Sequence, residues 1–131
     1  MTPAIEFLNK YNIHYTLHAY EHRSNAPSYG MEASELLGVA ANRVFKTLIV
    51  KIAGGRQTLA VALVSVDKQL SVKRLAMALK VKKVSMADPK EAERVTGYLQ
   101  GGISPLGQKR KLTTVIDTSA FLEDHLYISA G

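Results

Sequence analysis

The sequence predicts a single mixed α/β domain. Helical and strand periodicities alternate along the whole chain, and one long apolar strand pattern is joined to a second across Gly54-Gly55. No internal repeat, low-complexity tract or linker interrupts that alternation.

Each element follows from local chemistry. Pro3 to Tyr11 reads as a short amphipathic helix, with Thr2 at the N-cap, Pro3 at the first helical position, and Ile5, Leu8 and Phe7 turned inward. Tyr15 to His22 alternates as a strand. His14, Thr16, His18, Tyr20 and His22 share its polar face, opposite Tyr15, Leu17 and Ala19. A loop, Arg23-Ser24-Asn25-Ala26-Pro27, leads to a second helix capped by Ser28 and ending before Gly38. Val44 to Ile52 is a strand that pairs with Thr58 to Val64 as a hairpin. Ser71 caps a third helix, whose Val72, Leu75, Ala76 and Leu79 follow helical spacing. A short strand, Lys83 to Met86, precedes a helix opened by Asp88 and Pro89 and closed near Gly97. A glycine-rich loop, a strand from Thr113 to Asp117, one helical turn and a last strand from Leu126 to Ser129 complete the order.

Composition narrows the function. With no cysteine, the chain has no disulfide framework, thiolate metal site or cysteine nucleophile. The apolar run from Leu48 to Val64 is broken by Lys51 and by Gly54-Gly55-Arg56-Gln57, so no membrane span is expected. The N-terminus lacks a basic stretch followed by an apolar one, which argues for the cytoplasm over secretion. The net charge of +6 favours a polyanionic partner.

Lys46 is the most informative residue. Alternation puts it on one strand face with Val44, Leu48, Val50 and Ile52, the expected core side, while Lys51 faces the other way. An ammonium among apolar neighbours must snorkel to the rim, find a partner or line a polar pocket. Tyr20, on a polar face at a strand end, is suited to hydrogen-bond a ligand or simply to sit at the rim. The three histidines at spacing four invite a metal reading, but strand residues four apart lie about 13 Å from one another, too far to share one ion. No metal and no cofactor are expected.

Gly101-Gly102-Ile103-Ser104-Pro105-Leu106-Gly107 permits unusual backbone angles, and its N–H groups could meet a phosphate or a developing oxyanion. Its G-x-S-x-x-G spacing is one residue too long for a nucleophile elbow, and it lacks the Lys-Ser/Thr pair of a P-loop. Lys109-Arg110-Lys111 follow it. With Lys73, Arg74, Lys80, Lys82 and Lys83 they could form a phosphate-tracking surface. No Ser-His-Asp set, carboxylate pair or dinucleotide fingerprint can be assembled, so any catalysis must rest on positioning and electrostatics.

In order along the chain, Met1-Thr2-Pro3-Ala4, Tyr20-Glu21-His22, Val44-Phe45-Lys46-Thr47-Leu48, Met86-Ala87-Asp88-Pro89, Thr96-Gly97-Tyr98-Leu99 and the Gly101 to Gly107 loop closely resemble the YbaK-type bacterial Cys-tRNA(Pro) deacylases. Those proteins share a superfamily with the editing domain of bacterial prolyl-tRNA synthetase. The resemblance implies a mixed, mostly antiparallel, barrel-like sheet surrounded by helices. It also implies hydrolysis, in trans, of a mischarged aminoacyl ester at the tRNA acceptor end, beside prolyl-tRNA synthetase.

By the same resemblance Lys46 is the catalytic residue. Tyr20, Thr47, Gly101, Gly102, Ile103, Ser104, Pro105, Ser129 and Gly131 border the aminoacyl pocket, and the substrate's own thiol cleaves the ester as a cyclic thiolactone. Lys80, Lys109, Arg110 and Lys111 are the expected tRNA contacts. Relatives continue beyond the position of Gly131 with a basic-glycine turn, an apolar strand and a helix. Residues 1–131 are therefore expected to be one editing domain, C-terminally truncated relative to them. The rival readings are a deacylase for Ala-tRNA(Pro), and a non-catalytic module that binds the tRNA end or the synthetase.

Overall fold

The computed structural model describes residues 1–21 and 29–131. In chain order the helices are α1 (Pro3–Lys10), α2 (Tyr29–Leu37), α3 (Val72–Leu79) and α4 (Pro89–Thr96). The strands are β1 (Phe45–Ala53), β2 (Leu59–Ser65), β3 (Lys83–Met86) and β4 (Thr114–Ile116), with 3-10 turns at Ala41–Arg43 and Thr118–Leu122. His22, the loop from Arg23 to Pro27 and the expected Ser28 cap lie outside the described residues.

Local signals set most of these boundaries. The Thr2 hydroxyl accepts from the Ile5 N–H at 3.3 Å, and the Ser71 hydroxyl from the Arg74 N–H at 3.2 Å. Pro89 opens α4 and Gly97, at φ +82°, closes it, although the Asp88 side chain makes no capping bond. β1 and β2 form an antiparallel hairpin in which Phe45 faces Ser65 and Lys51 faces Leu59. β3 pairs antiparallel with β1 only along Val50 to Ala53, and β4 runs parallel to β2. The resulting order is β3-β1-β2-β4.

Both faces of this sheet are buried. Val50, Ile52, Ala60 and Ala62 pack against Leu75 and Ala76 of α3. Ile49, Leu59 and Val61 pack against Ala92 and Val95 of α4, with Tyr98 and Ile103. This corrects the expectation of a single core side on β1. A sheet covered by helices on both faces carries near-continuous apolar strands, and alternation then no longer separates core from solvent. Lys51 is exposed, as its position suggested.

Two expected strands are absent. Residues 15–21, described as far as Glu21, have no regular structure and are exposed throughout, so their alternation belongs to a surface segment and not to a strand of the sheet. The Leu126 to Ser129 strand reduces to one parallel bridge between Tyr127 and Val44.

Gly107 shows how α1 is anchored. It sits at φ +65°, and a Cβ there would lie 2.5 Å from the Pro3 carbonyl oxygen. Gly107→Ala should lower stability by about 2–5 kcal/mol, combining left-handed strain with a backbone clash. Gly38→Ala, at φ +67° in open space, should cost only the strain, about 1–2 kcal/mol. Urea denaturation of both variants checks the difference.

Candidate active site

On its outer edge β1 is bridged at two places and open between them. At one end the Phe45 N–H donates to the Tyr127 carbonyl at 2.8 Å, and at the other the Ala87 N–H donates to the Ile49 carbonyl at 3.1 Å. The β3 ladder begins only at Val50. Lys46 to Leu48 therefore face a gap in the sheet rather than a neighbouring strand, and the gap opens into a cavity of about 1390 Å³. Its walls, mostly apolar, come from α1, the His14 to Tyr20 segment, β1, the Leu99 to Ile103 loop and the stretch from Asp124 to Gly131.

The cavity brings together Tyr20, Lys46, Thr47, Gly101, Gly102, Ile103, Ser129 and Gly131. Lys46 is the only lysine or arginine on the wall among the described residues. It is half-buried, and its ammonium hydrogen-bonds or ion-pairs with no described residue. A charge in such surroundings acts more strongly on a bound group than it would in water. Beside it, the Thr47 hydroxyl is buried without a hydrogen-bond partner among the described residues. An unsatisfied buried hydroxyl costs about 1–3 kcal/mol, which a ligand that bonds to it would recover.

Ser104 and Pro105 do not line the cavity, contrary to the expectation for the glycine loop. Ser104 is fully buried, and its hydroxyl accepts from the Leu106 N–H at 3.2 Å, so the serine closes its own turn. Its neighbour Tyr98 donates its phenol to the Leu106 carbonyl at 2.7 Å. Burial pushes the Tyr98 pKa up, against smaller opposing effects of Ser104 and Ala4. The Gly102 N–H donates to the Leu99 carbonyl at 3.0 Å, so it is not a donor for a ligand. Gly101, at φ +91°, makes that turn possible.

Ser129 ties the last segment to this loop. Its hydroxyl donates to the Gly102 carbonyl at 3.2 Å and accepts from the Gly131 N–H at 3.1 Å. Gly131 lies so close to the Tyr98 ring that a Cβ would approach Cε1 to 2.6 Å.

The expected tRNA contacts are divided by the sheet. Lys109, Arg110 and Lys111 are exposed beside the end of α4, held by bonds from the Lys109 and Arg110 N–H groups to Thr96 and Val95. Lys80 ends α3, which covers the opposite face with Lys73 and Arg74, so these residues do not form one flat surface with the first group. Among the described residues no three His, Asp or Glu side chains converge to hold a metal ion. Among those residues no helix is long and apolar enough to cross a membrane.

Sequence reasoning missed an aromatic and basic group at the other end of the gap. The Tyr127 ring contacts the His18 ring edge-on and lies under the Arg43 guanidinium. Three distant segments meet there, and no sequence spacing signals it.

EbsC of Enterococcus faecalis (strain ATCC 700802 / V583), named as a candidate Cys-tRNA(Pro)/Cys-tRNA(Cys) deacylase, is 37% identical over 98 residues, 75% of this chain and 58% of its own length. ProXp-y of Escherichia coli (strain K12), named a multifunctional Ser/Thr-tRNA deacylase, is 31% identical over 100 residues, 75% of this chain and 60% of its own. The chain thus spans about three-fifths of the length of these curated relatives. The crystal structure of a candidate trans-editing enzyme for prolyl-tRNA synthetase superposes with a TM-score of 0.81 at 19% identity, covering 98% of this chain and 78% of that one. That likeness extends to the fold. The aminoacyl-tRNA editing domain family matches residues 25–131, and this chain belongs to it.

Proposed function

We propose that this chain is an aminoacyl-tRNA deacylase acting in trans, which cleaves the ester between a mischarged amino acid and the 3′ end of tRNA(Pro), with cysteine the preferred amino acid. The observation that carries this reading is the unpaired Lys46 ammonium, the only lysine or arginine on a mostly apolar cavity wall among the described residues. Two relatives named as deacylases support the chemistry, and the first of them supports the choice of cysteine.

No protein nucleophile is required. The chain has no cysteine, Ser104 is buried in its turn, and the Ser129 hydroxyl is engaged on both sides. The cysteinyl thiol instead attacks its own ester carbonyl. A carbon–sulfur bond forms, the carbon–oxygen bond to the ribose breaks, and the thiol proton ends on the ribose hydroxyl. The products are a cyclic thiolactone and free tRNA. Lys46 stabilises the negative charge as it moves from the carbonyl oxygen to the leaving oxygen, with backbone N–H groups of Gly101 and Ile103, which line the cavity, as further donors in this reading. The reaction belongs in the cytoplasm beside prolyl-tRNA synthetase, where the mischarged tRNA is released.

One observation favours a second substrate class. The unpartnered Thr47 hydroxyl could bond to the hydroxyl of a seryl or threonyl group, in keeping with the name of the Escherichia coli relative. Deacylation of tRNA(Pro) charged in turn with Cys, Ser, Thr and Ala separates the readings. Hydrolysis of none would leave only a module that binds the tRNA end.

Binding should rest on phosphates met by Lys109, Arg110 and Lys111. Log affinity for tRNA should fall with log salt, by about 0.7–0.9 per phosphate neutralised. Lys109→Glu with Lys111→Glu should weaken binding and flatten that slope, and an unchanged slope would place the contacts elsewhere. Lys80→Glu, on the far face, should have the smaller effect.

A further inference from the structure

A cavity of about 1390 Å³ is larger than an aminoacyl group needs, since pockets for drug-sized ligands hold about 300–1,000 Å³. Two rings stand on its wall. Half-buried Tyr127 and exposed His18 both line the cavity, with centroids 5.5 Å apart and planes at 62°. Tyr127 is fixed in place. Its N–H donates to the Arg43 carbonyl at 2.8 Å, and its carbonyl accepts the Phe45 N–H at 2.8 Å. The Arg43 guanidinium sits over the ring at 5.5 Å and donates to the His125 carbonyl at 3.4 Å. Arg43 does not reach the cavity wall, so it supports the ring and leaves His18 and Tyr127 to meet a ligand.

Position matters as much as chemistry. Tyr127 bridges Val44, two strand residues or about 6–7 Å from Lys46. That is about the reach of a ribose from its 3′ ester to its base. Aromatic faces bind nucleobases with little regard to sequence, which suits an end common to all tRNAs.

We propose that His18 and Tyr127 form the subsite for the terminal nucleoside of tRNA, its base stacked on one ring and held at its edge by the other while the ester lies at Lys46. The proposal deepens the deacylase reading and rests on it. The test is binding of an uncharged CCA trinucleotide, followed by calorimetry, to the wild type and to His18→Ala, Tyr127→Leu and Tyr127→Phe. His18→Ala and Tyr127→Leu should each bind about 5- to 150-fold more weakly, because loss of either ring opens the wedge that holds the one stacked base. Tyr127→Phe, which keeps the ring, should bind like the wild type. His18 is exposed and its removal should not disturb folding, so the test does not depend on the Tyr127→Leu chain remaining folded. Failure of the wild type to bind the trinucleotide, or equal affinity in His18→Ala, would overturn the subsite. Binding in the expected order without deacylation of any charged tRNA would instead sink the deacylase reading and leave the subsite standing.

Discussion

Lys46→Ala should leave the fold intact and lower single-turnover deacylation about 100-fold or more, the usual loss when one preorganised electrostatic contact is removed from a reaction. The fold should survive because no described residue depends on the ammonium for a hydrogen bond or an ion pair. Lys46→Met retains most of the aliphatic stem and removes only the charge, so it should lose as much activity while being at least as stable. Lys51→Ala supplies the control. Lys51 lies on the same strand but is exposed and off the cavity wall, and its replacement should change neither rate nor stability. A Lys46→Met protein that turns over near the wild-type rate would remove the ammonium from the mechanism, whatever Lys46→Ala does.

Much of the fold was legible because its signals are local. Thr2 with Pro3, Ser71, and Pro89 with Gly97 mark helix ends through bonds and angles set within a few residues. Gly54-Gly55 marks the hairpin in the same way. Long-range pairing was not legible. The alternation from Tyr15 to Tyr20 looks like a strand, yet nothing in those residues states whether a partner edge exists. Lys46 was found because an ammonium among Val44, Leu48 and Val50 is anomalous in any fold. The reason it is tolerated is the gap between the Tyr127 bridge and the β3 ladder, which no local pattern encodes.

The glycine loop misled in a related way. Contiguous motif residues suggested a contiguous wall, but the chain turns Ser104 inward after Ile103. Charge was legible as composition and illegible as a surface, since α3 and α4 carry Lys80 and Lys109 to opposite faces of one sheet.

The substrate's side chain should decide the rate. With tRNA(Pro) charged with cysteine, serine or alanine, the cysteinyl ester should be cleaved about 100-fold or more faster than the other two, with similar binding of all three. The argument is chemical: a thiol is a few per cent ionised at neutral pH and intrinsically very nucleophilic, a hydroxyl is neither, and a methyl group cannot attack at all. Alignment of thiol and carbonyl within one substrate can contribute up to about 7–11 kcal/mol, which relieves the protein of supplying a nucleophile. The cysteinyl rate should rise with pH toward the thiol's own value of about 8.5 and then level off. Ser129→Ala and Ser104→Ala should retain substantial activity. The latter should lose stability instead, by about 1–3 kcal/mol, because the Leu106 N–H would be left without its acceptor. Single-turnover rates together with detection of a cyclic thioester product test the whole chain of reasoning. Comparable cleavage of all three esters would replace the thiol with an activated water, and an acyl group trapped on Ser129 would replace it with a covalent route.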